Sequence, residues 1–322
     1  MIAAAERWNG ARYEPSSAEG HYESWFVRAN PAAGGGAFWI RYTIFSPRGR
    51  PQDAVGELWA ITFGPDQNVA VKEVRPISQC SFAGDRLHAV IGEATLDGAS
   101  LQGQASAGRH TIAWDLRYGC DQPPLFLLPE RLYGARLPRA KALVNQPLAV
   151  FTGALEVDGT RLPIDAWIGS QNHNWGSRHT DRYAWGQVAG FDEAPDAFLE
   201  CSTARLKVGA LWLPPLTLAV LRLDGETFAY NRLGRSARAL GEYGPYRWHL
   251  ETGDRRGRIE AWIEGAAPDF VALSYANPPG GIKTCLNSKI ARCGLTLSRP
   301  GRPAIALHSS RAAFEILDDP NV

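Results

Sequence analysis

The sequence predicts an all-β protein built as two consecutive antiparallel β-barrel units with very little helix. Three observations predict it. Short alternating apolar runs fill the chain, separated by Gly, Pro and Asp turns. Asp-Gly pairs at 97–98, 158–159 and 224–225 join apolar runs in the manner of tight hairpins. Helical periodicity is hard to find, and roughly eight strands or more in each half suit closed or nearly closed barrels, which remove exposed edges.

In the first half the runs predict strands at 22–29, 37–46, 54–63, 67–76, 86–92, 110–118, 148–157 and 161–168. Prolines at 123, 124, 129, 138 and 147 mark a long surface crossover, with a short helix near Glu130–Tyr133. The second half predicts strands at 182–191, 196–206, 215–223, 226–231, 245–252, 257–264, 269–276, 282–291, 293–298 and 303–316. Arg255, Arg256 and Arg258 read as a hairpin turn rather than a binding patch. The expected division is an N-terminal barrel over 1–178 and a C-terminal barrel over 179–322.

The 322 residues are 45% hydrophobic and 21% charged, which fits a folded globular chain. A net charge of +1 gives no electrostatic footprint for nucleic acid or an anionic membrane. The five cysteines, 80, 120, 201, 285 and 293, are odd in number and show no metal-ligand spacing, so reduced thiols in a cytoplasmic protein are expected. No apolar run approaches the length of a membrane span, and the first residues lack a secretory core. Phosphate-loop, dinucleotide, metalloprotease and serine-hydrolase motifs are all missing, so neither a cofactor nor a metal is expected. The oligomeric state is left open.

The stretch from Asp165 to Asp192 organises the chain. It places Trp167, Trp175 and Trp185 round Gln171, Asn172, His173, Asn174 and His179. Neutral hydrogen-bonding groups beside indoles suit a buried polar pocket. Gly169 and Gly176 bracket the polar segment as places where the chain bends. A strand follows, with Tyr183, Trp185 and Gln187 on one face and a nearly bare face opposite, open to close approach. Two readings stand: a ligand site floored by Trp185 and edged by Asn172, His173 and Asn174, or a polar plug whose amides satisfy one another. His173 is expected to be buried where the first set of strands ends and the second begins, near Trp175 and Trp185, bonded to amides or backbone.

Acids on apolar strand faces are the candidate proton donors. Glu23 shares a face with Trp25 and Val27, and Glu200 shares one with Phe198 and Ser202. Burial would raise such an acid's pKa and let it donate near neutrality. The competing reading pairs each with an arginine, Arg28, Arg41 or Arg205. A second unusual stretch, 275–287, joins a strand carrying Tyr275 and Asn277 to one carrying Lys283 and Asn287 through Pro-Pro-Gly-Gly. Lys283 fits either a cavity cation or a solvated edge residue.

Two segments carry a family resemblance. HYESWFVRANPAAGGGAFWIRYTIFSP, 21–47, resembles the entry strands of tocopherol cyclase; Glu23 and Trp25 match its acid-x-Trp pattern. Gly-Ser-Gln-Asn-His-Asn-Trp-Gly at 169–176, followed by Tyr-Ala-Trp-Gly-Gln, resembles the His-Asn/Gln-Trp-Gly junction of the carotenoid hydratase (hydroxyneurosporene synthase) and AttH-like group. His173, Asn174, Trp175 and Gly176 match that junction. The resemblance implies two lipocalin-like barrels and a cyclase or hydratase acting without a cofactor on an apolar terpenoid, polyene or polyketide-like molecule, held at or near the junction of the barrels. The catalytic candidates, taken from the strand faces and the polar segment above, are Glu23, His173 and Glu200. The binding candidates, from the same readings, are Trp25, Asn172, Asn174, Trp175, Tyr183, Trp185, Gln187, Tyr275, Asn277 and Lys283. The alternative is a carrier with the same pocket and no chemistry.

Overall fold

The structure is a computed structural model that describes residues 8–317. Strands β1 (His21–Asn30), β2 (Ala37–Ser46), β3 (Val55–Phe63) and β4 (Val69–Pro76) open the chain. Short strands β5 (Cys80–Phe82), β6 (His88–Ile91) and β7 (Ala94–Asp97) follow, then β8 (Ser100–Ala107), β9 (His110–Gly119) and β10 (Leu125–Phe126). Two long strands, β11 (Ala140–Val157) and β12 (Thr160–Gly176), close this part. The remainder runs β13 (Arg182–Ala189), β14 (Phe198–Arg205), β15 (Lys207–Val208), β16 (Leu211–Trp212), β17 (Leu216–Leu223), β18 (Glu226–Tyr230), β19 (Leu240–Gly244) and β20 (Arg247–Asp254). It ends with β21 (Gly257–Glu264), β22 (Val271–Ala276), β23 (Ile282–Ser298) and β24 (Ile305–Leu317). Helix among the described residues is limited to the single turn Leu233–Ser236 and four 3-10 turns, and none is long and apolar enough to cross a membrane.

The chain forms two compact units. The first comprises residues up to Leu125, Leu137–His179 and Ala276–Ile282; the second comprises Phe126–Arg136, Thr180–Tyr275 and Lys283 onward. In the first unit the strand order is β4-β3-β2-β1-β12-β11-β9-β8-β7-β6-β5, antiparallel between neighbours. The sheet curls into a near-closed barrel, and the Ser106 N–H on β8 donates to the Glu73 carboxylate on β4 at 2.9 Å. Alternation explains the inward set: Ile112, Trp114, Leu116 and Tyr118 of β9 face a core shared with Trp25, Tyr42 and Phe151. Tyr42 is fixed there by bonds from the Trp114 indole and to the Thr95 carbonyl.

In the second unit the order is β18-β17-β14-β13-β24-β23-β21-β20-β19. Strand β21 shows the cleanest pleat, with Ile259, Ala261 and Ile263 inward and Arg258, Glu260 and Trp262 outward. The Trp248 indole crosses the interior to donate to Thr203 Oγ1 at 3.1 Å.

Several expected elements differ. The polar segment 169–176 is the end of β12, not a turn, and 140–147 is the start of β11 rather than crossover. Gly169 and Gly176 do not bend the chain. Both are extended, and a Cβ on either would strike a neighbouring backbone carbonyl, Arg28 O or Arg139 O. The bare face of β13 is not open either. Gly186 packs beneath Ile263, Trp248 and Cys201 in the core. The hairpins at 97–98, 158–159 and 224–225 form as the Asp-Gly pairs predict, and the helix expected near Glu130–Tyr133 is the 3-10 turn Glu130–Leu132.

One feature of the burial pattern positions the candidate site. Strands β1 and β2, the latter parts of β12, β13 and β24, and the first part of β14 are buried on both faces. On β2, β13, β14 and β24 one face joins a hydrophobic core and the other carries polar groups; on β1 and β12 polar groups enter the inward face as well.

Candidate functional site

The first unit holds a polar cluster on the inward face of β1 and β12. Across these strands Trp25 lies opposite His173, and Glu23 opposite Trp175. His173 Nε2 lies 2.9 Å from Glu23 Oε1, and Nδ1 lies 2.6 Å from the Trp8 carbonyl oxygen. Glu23 Oε2 accepts the Arg12 backbone N–H at 2.8 Å and pairs with His21 Nε2 at 3.0 Å. Trp25 stacks on His173 at 4.8 Å between ring centres and donates its indole N–H to Asn9 O. Trp175 sits at 4.7 Å from His173 on another side, under the Arg12 guanidinium at 3.8 Å. Asn9 and Gln171 pair their amides. The segment Trp8–Arg12 is thus bound across this inner face.

Glu23 and His173 are fully buried. Burial alone would raise the Glu23 carboxyl, but hydrogen bonds and charge from His173 and His21 outweigh it and hold the pKa low, at about 2. Each ring nitrogen of His173 faces an acceptor, so the ring is fully bonded only when both carry hydrogen. Burial opposes that charge and lowers the ring's pKa, while the Glu23 carboxylate works the other way.

The second unit holds another cluster, on the face of β13, β14, β23 and β24 that points away from its core. Glu200 Oε1 accepts the Trp185 indole N–H at 2.8 Å, and Oε2 accepts the Gln187 amide at 2.8 Å. Gln187 lies directly opposite Glu200, and Trp185 opposite Glu315. The two carboxylates therefore stand on the strands flanking β13. Glu315 Oε1 accepts from Asn287 at 2.8 Å and from Lys289 Nζ at 3.0 Å. Lys289 is fully buried, bonds Asn287 Oδ1 at 2.6 Å and lies 5.3 Å from the Trp185 ring centre. Tyr183 adds its hydroxyl beside Glu315 Oε2 and Cys285 Sγ, both at 3.5 Å. Burial raises the Tyr183 phenol's pKa strongly, with Cys285, Glu315 and Tyr275 adding to it. Tyr133 is raised by burial too, and the charge of Glu200 reaches it.

The structure thus groups Glu23, Trp25, His173 and Trp175 in one unit, and Tyr183, Trp185, Gln187 and Glu200 in the other, with Tyr275 near Tyr183. Asn172 and Asn174 fall on the opposite face of β12 from His173, where the Asn172 amide donates to Ser170 Oγ at 2.8 Å. Asn277 ties together two segments of the first unit that are distant in the chain: its Oδ1 accepts the His179 N–H at 3.1 Å. Lys283 is buried and reaches the Asp181 carbonyl at 3.4 Å, so it is not a solvated edge residue. The rings against His173 are Trp25 and Trp175, and its partners are a backbone carbonyl, one of the two kinds expected, and the Glu23 carboxylate in place of an amide. The arginine beside Glu23 is Arg12, since Arg28 and Arg41 stand on the other face of β1 and β2.

Sequence reasoning missed Arg12, His21, Lys289 and Glu315. Two of them left a signal. The chain has five lysines, and Lys289 follows Asn287 at the two-residue spacing of one strand face. Glu315 interrupts the apolar run AAFEIL. Among the described residues no group of three or more His, Cys, Asp or Glu side chains is placed to hold a metal ion.

The fold is that of two-domain lipocalin-like proteins. Three solved structures superpose over nearly the whole chain. A putative AttH from Nitrosomonas europaea matches at TM-score 0.56 and 14% identity, over 95% of this chain and 96% of that one. Kievitone hydratase from Nectria haematococca matches at 0.56 and 12%, over 93% and 90%. CghA, solved with Sch210972, matches at 0.55 and 13%, over 97% and 95%. In sequence, an uncharacterized protein of Mycobacterium tuberculosis is 28% identical over 292 residues, 90% of this chain and 83% of that protein. No family model matches.

Proposed function

We propose that this chain is a hydratase- or cyclase-like enzyme acting on an apolar, alkene-bearing small molecule, and that Glu200 is its acid–base group. The observation that carries the reading is the placement of buried Glu200 and Lys289 beside partly exposed Glu315, Trp185 and Tyr183, outside the hydrophobic core of their unit. Burying the Lys289 ammonium and the Glu200 carboxylate is costly, and replacing such groups with packed hydrophobic residues often stabilises a protein. Aromatic faces beside them suit a substrate that develops positive charge.

In hydration, a proton from the Glu200 carboxyl would add to one alkene carbon. Water would bond the other, and its surplus proton would return to the carboxylate. In cyclisation a second alkene or oxygen of the same molecule would replace water, and the proton lost from the product would restore the acid. Both schemes balance without an oxidant. Kinship in fold with a protein named as a hydratase supports the reading. The finer kinship, with tocopherol cyclase and carotenoid hydratase, is part of the same proposal, as is a terpenoid, polyene or polyketide-like substrate. The saturated bonding of His173 and Glu23 supports a lock that holds the first barrel's strands, rather than a proton donor.

The carrier reading has one observation in its favour: both Glu200 oxygens already accept hydrogen bonds. Incubation with prenylated quinols, carotenes and linear polyenes in deuterated water separates the two. The enzyme gives a product carrying deuterium on carbon. Recovery of every compound unchanged, with several bound, would favour the carrier.

A further inference from the structure

Strands β15 and β16 form a two-stranded ribbon of their own, outside the ten-stranded sheet of the second unit. Gly209, at φ +61°, supplies the positive φ that a tight hairpin turn needs. The ribbon is anchored at its base: the Lys207 N–H donates to Asp181 Oδ2 at 2.9 Å, and the Leu213 N–H to Leu206 O at 2.9 Å. Lys207 pairs with Trp212, so these two share one face. Leu211 and Leu213 fall on the other, 74% and 40% exposed. Behind the leucines, three cations surround one indole. Arg182, Arg205 and Lys207 lie 4.9, 5.4 and 5.5 Å from the Trp212 ring centre.

We infer that this ribbon is an interfacial anchor that docks on an anionic lipid bilayer. Two exposed leucines, one on a two-residue strand and one just past it, have no stabilising role in water. Apolar side chains backed by an indole and cations match the layering of a membrane surface. The leucines enter the acyl boundary, Trp212 sits at headgroup depth, and the cations meet lipid phosphates and carboxylates. The long Arg and Lys stems can extend past the indole to the charged layer while staying in apolar contact. Asp181, which accepts the Lys207 N–H, is buried, whereas Arg182, Arg205 and Lys207 are each partly exposed, so the charge these residues present to solvent is positive. The net charge of +1 concealed this, because the cations come from separate positions in the chain. The ribbon lies within one unit, and the inference does not depend on the catalytic reading.

The test is co-sedimentation of the intact protein with phosphatidylcholine vesicles, with and without phosphatidylserine. Binding is expected to the mixed vesicles, weakened by salt, and at least about tenfold weaker to the neutral ones. Leu211→Asp with Leu213→Asp is expected to remove it. Lys207→Glu, which keeps the leucines, is expected to weaken it about tenfold, since one charge is worth about fivefold and reversal counts more than once. Circular dichroism and thermal melting establish that the variants fold; both leucines are exposed, so their replacement leaves the core intact. No binding to the mixed vesicles overturns the inference, as does binding that the leucine replacements leave unchanged. Self-association lost in the leucine variant, without vesicle binding by the parent, overturns it in favour of a second copy of the chain.

Discussion

His173 and Glu23 are 150 residues apart in the chain, yet the ring Nε2 and the carboxylate Oε1 sit 2.9 Å apart with both side chains fully buried. Strands β1 and β12 bring them together, and the same ring binds the Trp8 carbonyl. The pair fastens the N-terminal segment to the inner face of the first barrel. Removing the imidazole in His173→Ala leaves a buried carboxylate and a carbonyl short of a donor. The expected cost is about 1–3 kcal/mol, read by urea unfolding. His173→Gln, which can restore one bond, is expected to lose less.

Acid should release this fastening in a defined window. The folded Glu23 pKa of about 2 lies below its ordinary value of 4.5. A depressed carboxylate contributes stability that is fully present above the unfolded value and is lost as pH falls through the folded one. The melting temperature is therefore expected to fall between pH 4.5 and about 2. Glu23→Gln should melt lower at neutral pH and show a shallower fall across that window. An equally steep acid limb in the variant would place the titrating group elsewhere.

Two glycines rank against one another. A Cβ at Gly169 meets Arg28 O and the Ala29 backbone, which cannot move without shifting β1. A Cβ at Gly186 first meets Ile263 Cδ1, the movable end of a side chain, then Trp248. Gly169→Ala is expected to be the more destabilising, by more than the roughly 1–3 kcal/mol of ordinary overpacking. Equal losses in denaturant titrations would mean that the strand pair yields more easily than its backbone contacts suggest.

Glu200→Gln keeps a carbonyl oxygen for the Trp185 indole but removes the acid. With a substrate found by the panel above, turnover is expected to fall about 100-fold or more, while ligand binding persists. Glu23→Gln, measured at a temperature where it is folded, is expected to keep most of its turnover. If the two variants lose activity in the opposite order, the catalytic acid belongs to the first barrel.

Lys289→Met removes the buried cation of the pair and leaves the partly exposed Glu315 with Asn287 alone among the bonds described for Oε1. Leaving a fully buried charge uncompensated costs about 3–5 kcal/mol, and the water-accessible Glu315 is expected to cost less than that. A double variant, Lys289→Met with Glu315→Gln, is expected to recover part of that loss. Failure to recover any of it, in a thermal or urea melt, would show that the pair is not the source.

What the sequence determined by itself is local. Asp-Gly turns and two-residue alternation placed most strands, since a pleat puts alternate residues on opposite faces whatever the strand pairs with. They also put Glu23 with Trp25, and Trp185 with Gln187 and Tyr183. Polar density marks 169–176, and its glycines suggest bends where the strand in fact continues: alternation fails as a signal where both faces of a strand are buried and both carry polar groups. Only the tertiary structure decided partners. Strand register set Glu23 against His173 and Trp185 beside Glu200 and Glu315, and turned Asn172 and Asn174 away from the histidine between them. Register depends on hydrogen bonds between segments far apart in sequence, and a slip of one residue would have exchanged every inward group for an outward one.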